Sequence, residues 1–201
     1  MSTTAEPVVR IAREAEAAPA AALHAQRITE GFLPTLGPPF LARLYRRIVR
    51  DPGSFLVVAV EDGRVVGMCA CTEDLGALYR AFVLRDGAIA GLRSAPRILR
   101  SLPRVIETLR YPKAEDAHDL PPAEVLAVAV DATRSGEGIG RAVVEAAVAE
   151  FDRRSTARVK VVAGGANDAA LGLYRATGFL EAARIEVHAG TGSVVLVRSA
   201  P

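Results

Sequence analysis

Three glycines at alternate positions, Gly136, Gly138 and Gly140, stand in the stretch "DATRSGEGIGRAVVEAA". Upstream, "EVLAVAV" (124–130) is apolar on both faces, the pattern of a strand buried between two layers. Downstream, Ile139, Val143, Ala146 and Ala147 recur at helical spacing, with Arg141 and Glu145 forming an i, i+4 pair on the opposite face. The glycines therefore sit between a buried strand and a helix N-terminus, where several backbone N–H groups lack intrahelical acceptors and the macrodipole favours negative charge. Glycine permits φ > 0 and carries no Cβ to hold a ligand off the backbone. That combination is a cradle for phosphate or pyrophosphate; a ligand-free glycine turn is the plainer alternative. A P-loop needs Lys and then Ser or Thr after its last glycine, and Gly140 is followed by Arg141 and Ala142. A dinucleotide fingerprint needs G-x-G-x-x-G after an early strand, whereas G-x-G-x-G occurs here late in the chain.

The elements that must position this motif follow from periodicity and turn chemistry. "VVRIA" (8–12) is a first strand, followed by helices from Pro19 to Ile28 and over "PPFLARLYRRIVRDP", which has Pro39 near its start and Asp51-Pro52 as its stop. "FLVVAVEDGRVVGMCACTED" reads as a hairpin turning at Asp62-Gly63. A helical interruption over 77–119 precedes the 124–130 strand. After the glycine motif come "RVKVVA", a helix from about Asp168 to Ala176, and two strands around Gly190 and Gly192. The expected fold class is α/β (α+β), with a mixed sheet and helical layers.

Composition bounds the rest. A chain of 201 residues, half of them apolar, supports a full core and is most simply one domain over 1–201. A net charge of +2 argues against nucleic acid as a partner of the whole molecule. No run of about 18 apolar residues is present to cross a bilayer. The alanine-rich N-terminus is broken by Glu6, Arg10, Arg13, Glu14 and Glu16, unlike a signal peptide, which points to the cytoplasm. Cys69 and Cys71 share one face of a strand and read as packing residues, and the scattered histidines His24, His118 and His188 suggest no metal site.

"SGEGIGRA" resembles the pyrophosphate-binding motif Q/R-x-x-G-x-G/A of the GNAT superfamily of acetyl-CoA-dependent N-acetyltransferases, with Gly138 and Gly140 as its glycines. Its Q/R position holds Ser135, with Arg134 one residue early, a departure that touches the side-chain part of the match and leaves the backbone part intact. "NDAALGLYRATGF" fits a second family signature at Asn167, Ala170, Leu173, Tyr174, Gly178 and Phe179. The resemblance covers roughly residues 55–75 and 120–198. It implies a GNAT fold, largely antiparallel, with the 77–119 helical insertion between its third and fourth strands. It also implies that the strand before the glycines splays from its neighbour and pairs a pantetheine arm through Val128, Ala129 and Val130. An N–H near Val128 would hold the thioester carbonyl, on which negative charge develops. The amides of Ser135, Gly136, Glu137, Gly138, Ile139, Gly140 and Arg141 would hold the pyrophosphate of acetyl-CoA. Asn167, with Ala170 beside it in the signature, would touch the pantetheine arm, and Tyr174 would protonate the departing thiolate.

Asn167 is equally a good N-cap, and Tyr174 could be a half-buried aromatic. A primary amine must lose a proton before it attacks. Glu124 is the candidate base, matching the position of a catalytic glutamate in histone acetyltransferases; His118 is the reserve, and a water-exposed edge carboxylate is the plainer account of Glu124. Between 77 and 113 lie seven arginines and one lysine against Asp86 and Glu107. This segment could be a lid selecting an anionic or RNA-linked acceptor, or a solvated helix whose apolar underside packs on the domain or on a second copy in a homodimer. Phe32, Leu33, Phe40, Leu41 and Tyr45 could line an acceptor pocket or fill core. The resemblance implies acetyl transfer to an amine in a ternary complex, without a metal. Left open are an acyl-CoA-binding module that has lost its chemistry and an aminoacyl-tRNA acetyltransferase using the arginine-rich segment.

Overall fold

The computed structural model describes residues 6–28, 37–85, 120–188 and 191–201. Its elements, in chain order, are β1 (Val8–Ile11), α1 (Ala17–Arg27), α2 (Pro38–Arg50), β2 (Ser54–Glu61), β3 (Arg64–Thr72) and a helical run α3 over 75–85. There follow β4 (Glu124–Val130), α4 (Ile139–Arg153), β5 (Arg158–Gly164), α5 (Asp168–Ala176), β6 (Leu180–His188) and β7 (Thr191–Ser199). The expected elements are present with small shifts at their ends. α1 starts earlier than Pro19 because the Glu16 carboxylate accepts from the Arg13 N–H at 2.7 Å and a 3-10 turn over Glu14–Glu16 leads straight into it. α3 starts at 75 rather than 77 because Asp74 caps it, its carboxylate accepting from the Ala77 N–H at 2.9 Å. The rest of the 77–119 insertion lies outside the described residues, as do His118, Phe32 and Leu33.

Seven strands form one sheet in the order β1-β2-β3-β4-β5-β7-β6, with every neighbouring pair antiparallel except β4 and β5. Side-chain alternation divides the core between the two faces. Phe55, Val57, Cys69, Cys71 and Val161 meet Val143, Val144, Ala147 and Phe151 of α4 and Leu171 and Tyr174 of α5. Leu56, Val58, Met68 and Ala70 meet Ala17, Ala20 and Leu23 of α1, Leu41, Leu44 and Ile48 of α2, and Leu78 and Phe82 of α3. The cysteines pack as expected: both are buried, with sulfurs 3.6 Å apart. On the exposed face of α4, Arg141 and Glu145 form the i, i+4 pair at 2.7 Å.

Gly67 sets how closely α4 approaches the sheet. A Cβ there would come within 2.5 Å of Ile139 Cγ2, so the bare backbone of β3 lets the first turn of α4 lie directly on it.

Candidate active site

The ladder between β3 and β4 is registered from Thr72↔Glu124 to Gly67↔Val130, broken by a bulge that leaves Leu126 without an opposite residue. Between β4 and β5 the registered pairing consists of Glu124↔Lys160 and Val125↔Val161. Past that point the two strands part. Backbone hydrogen-bond direction identifies which residues line the gap. Lys160 donates its N–H to Ala123 O, so residues 123 and 125 face β5. Asp131 donates its N–H to Val66 O, so 131, 129 and 127 face β3. The bulge at Leu126 reverses the alternation, and the peptide groups of Val128 and Val130 therefore turn into the gap. Those of Ala129 turn the other way, toward β3; only its neighbours offer backbone to the gap.

At the end of β4, Asp131 closes a 3-10 turn, its carboxylate accepting from the Thr133 N–H at 2.9 Å. Gly136 and Gly138 both adopt positive φ, +85° and +81°, with open space where a Cβ would be. Gly138 is the N-cap of α4, which has no side-chain cap, so the amides of its first turn are left for solvent or a ligand. Gly140 differs: a Cβ there would lie 3.5 Å from Val130 Cγ2 and 3.7 Å from Leu173 Cδ2, ordinary contacts that a small side chain could make. The loop from Ser135 to Arg141 therefore leads into α4 beside the end of β4. Arg134 has a structural partner on each side, Glu61 of the β2–β3 hairpin and Glu137 at 2.8 Å, and so ties the glycine loop to the sheet.

α5 brings the second set of residues. Asn167 caps it, with Oδ1 accepting from the Ala170 N–H at 3.0 Å. Tyr174 is buried against Phe179, ring centroids 5.8 Å apart, and no hydrogen bond holds its hydroxyl among the described residues. Burial raises its pKa above that of a free phenol, with the nearby cysteine thiols adding to the effect, so the hydroxyl keeps its proton at neutral pH.

Glu124 is not the water-exposed edge carboxylate of the plainer account. It is 7% exposed and lies 3.2 Å from Lys160 Nζ, which also donates to Pro121 O at 2.6 Å. Its side chain reaches a 110 Å3 cavity on the α1–α2 face of the sheet, bounded also by Leu44, Ile48, Leu78, Leu126 and Tyr79. Burial, and behind it the Glu124 charge, push the Tyr79 phenol up to about 12. His24 lies on the same wall, 3% exposed, with Nδ1 2.8 Å from the Tyr45 hydroxyl. Lys160, Tyr79 and His24 were not singled out from sequence as site residues. For His24 the signal was its place at helical spacing with Ala17, Ala20 and Ala21 on the buried stripe of α1. Of the suggested pocket residues, Tyr45 bounds this cavity and Leu41 is core. Among the described residues no three metal-ligating side chains cluster, and no helix is long and apolar enough to cross a membrane.

An open mixed sheet whose central parallel pair splays over an uncapped helix N-terminus defines an acetyltransferase architecture. The chain belongs to the acetyltransferase (GNAT) family, whose family model matches residues 24–179. Among solved structures it is similar to an N-acetyltransferase from Staphylococcus aureus Mu50, at 12% identity and a TM-score of 0.64, covering 97% of this chain and 99% of that one. It is also similar to a ribosomal-protein-alanine N-acetyltransferase from Brucella melitensis, at 18% identity and a TM-score of 0.61, covering 96% and 99%. A third is a chain of the NatC complex bound to Gag peptide and CoA, at 16% identity and a TM-score of 0.59, covering 98% and 100%. No curated protein sequence matches it.

Proposed function

We propose that the protein transfers an acetyl group from acetyl-CoA to a primary amine by direct attack within a ternary complex, with no covalent acyl-enzyme. The observation that carries this reading is the parting of β4 from β5 after Val125, which leaves the peptide groups of Val128 and Val130 facing a gap that opens onto the uncapped N-terminus of α4. A pantetheine arm extends a strand ladder in such a gap, and a diphosphate fits the amides from Ser135 to Arg141, where Gly136 and Gly138 leave room for it.

Acetyl-CoA supplies an acyl group activated as a thioester; the chain supplies alignment, charge stabilisation and proton transfer. The Val128 N–H stabilises the negative charge that develops on the thioester oxygen. Glu124, which faces Lys160, takes the proton from the amine directly or through water. Tyr174 gives its hydroxyl proton to the departing thiolate, and Asn167 holds the pantetheine arm while capping α5.

The test has two measurements on the intact chain. Calorimetry with coenzyme A should give a one-site isotherm, and thiol release from acetyl-CoA should rise above hydrolysis with a suitable primary amine. Absence of heat would remove the donor assignment. Binding without amine-dependent release for any acceptor would reduce the protein to an acyl-CoA-binding module.

A further inference from the structure

The loop that carries Gly136 and Gly138 also carries an acid. Glu137 immediately precedes Gly138, the N-cap of α4, and is exposed. A helix N-terminus favours negative charge whether that charge belongs to a ligand or to the chain itself. Glu137 is therefore a competitor for the amides of the first turn, and its charge opposes a diphosphate bound there. Yet no side chain caps α4 among the described residues.

Arg134 is what occupies Glu137. Its Nε and Nη2 both lie 2.8 Å from Glu137 Oε2, while its Nη1 donates to Glu61 Oε2 at the end of β2. The arginine is itself fixed by the turn before the glycines. Its backbone N–H donates to Asp131 O at 3.0 Å, and the Asp131 carboxylate accepts from both the N–H and the hydroxyl of Thr133. Glu61 is the anchor at the far end. Its side chain is largely buried, Arg134 is the ion-pair partner the described residues give it, and its other oxygen, Oε1, is buried without a hydrogen bond among them. One guanidinium thus spans a buried carboxylate of the sheet and an exposed carboxylate of the glycine loop.

We infer that Arg134 is a positioning residue for the donor: by engaging Glu137 while anchored on Glu61, it keeps an anionic side chain off the N-terminus of α4 and leaves that end for the diphosphate. The inference rests on the proposed acetyl-CoA site and adds a residue that acts on it through another, without touching the ligand. Released from Arg134, Glu137 is a built-in competitor of the coenzyme. An arginine that bound the diphosphate directly would have to leave one of its two carboxylates, and removing either carboxylate would then strengthen binding to a similar degree.

Calorimetry with coenzyme A on the full chain tests this as a double-mutant cycle. Arg134→Ala should weaken coenzyme A by about tenfold, the upper part of the range for a charge at a helix end. Glu137→Gln should strengthen it by at most about threefold in the parent chain and by about tenfold in the Arg134→Ala background, where it returns affinity close to the parent value. Glu61→Gln should weaken coenzyme A by about threefold, because Arg134 then keeps Glu137 and loses its anchor. Arg134→Ala strips a largely buried carboxylate of its partner, so thermal melting accompanies each protein. Arg134→Gln, which can still donate to Glu61 and brings no charge to Glu137, repeats the cycle if the alanine variant unfolds. Rescue confined to the background without the arginine is the outcome that a purely structural role does not give. Equal factors for Glu137→Gln in the two backgrounds, or tighter binding by Glu61→Gln, overturns this inference and leaves the diphosphate site standing. Parent protein that gives no heat with coenzyme A overturns the proposed function and this inference with it.

Discussion

The two sides of β4 are built on opposite logic. Toward β5 and α4, the groups on offer are peptide N–H and C=O: Val128, Val130, and the amides that follow Ser135, exposed by a splay and by two glycines at positive φ. Toward α1 and α2, side chains do the work: Glu124 with Lys160, Tyr79, and His24 with Tyr45. A backbone site suits an invariant ligand, since any sequence that keeps the geometry keeps the donors. A side-chain site suits a variable ligand, because one substitution changes its size, charge or hydrogen bonding. On the proposed function, the difference would make donor and acceptor recognition separable even though one strand, seven residues long, borders both sides. The bulge at Leu126 makes that possible by moving the alternation one step between Val125 and Ala127.

The largest effect should come from the side-chain side. Lys160 and Glu124 are 6% and 7% exposed and face each other, and removing one member of such a pair leaves a buried charge uncompensated. Lys160→Met should cost about 3–5 kcal/mol of stability. Adding Glu124→Gln should recover part of that loss, measured as a coupling in a double-mutant cycle by urea denaturation. Additive losses would mean that the ion pair does not bind the start of the splay together.

Next in size is a test of independence. Tyr174→Phe removes one hydroxyl that makes no hydrogen bond among the described residues, so stability and coenzyme A affinity should stay within about twofold while kcat falls by about 100-fold, the scale of a lost general acid. Equal kcat for the variant would dismiss Tyr174 as the acid. On the backbone side, Gly138→Val places a β-branched residue at φ +81°, which costs roughly 1–2 kcal/mol in backbone strain and puts a side chain into the cradle. Coenzyme A affinity should drop by at least about tenfold while KM for the amine is unchanged. A change in KM for the amine would break the separation of the two sides.

How much of this was legible follows the same division. The glycines, the apolar strand before them and the helix after them are contiguous, so local pattern specified the strand–loop–helix unit, and the family signatures placed Asn167 at the N-cap of α5 and Tyr174 on it. The hairpin at Asp62-Gly63 was equally local, with Asp62 at φ +47° and Gly63 at φ +76°. Glu124 was picked out, but its burial was not, since its partner Lys160 is thirty-six positions further on and meets it only through the short parallel pairing. The bulge was invisible because "EVLAVAV" has no polar residue after Glu124 whose alternation could shift. Gly67 looked like any strand glycine, and its role depends on Ile139 in the first turn of α4, which lies directly on it. His24 depended on α1 turning its alanine face inward so that the imidazole meets Tyr45 of α2.

The smallest predicted effect isolates that last contact by titration. Burial lowers the folded pKa of His24 to about 4 from the ordinary imidazole value of 6.5, so between those values the unfolded chain binds a proton that the folded chain refuses. Stability from this group is therefore present above pH 6.5 and is lost as pH falls toward 4. Between pH 6.5 and 5.5 the loss should be about 1 kcal/mol by linkage. Glu150, held down to about 2 by hydrogen bonds from Arg153 and Arg154, is lost in a lower window, below pH 4.5, and does not overlap that interval. Glu124 and Tyr79 are the other ionisable groups on the described cavity wall, besides Tyr45, which His24 already contacts. His24→Leu should flatten the pH 6.5 to 5.5 slope of urea-denaturation stability. A slope that survives the substitution would assign the proton to another group and leave the buried His24–Tyr45 contact without a part in the pH dependence.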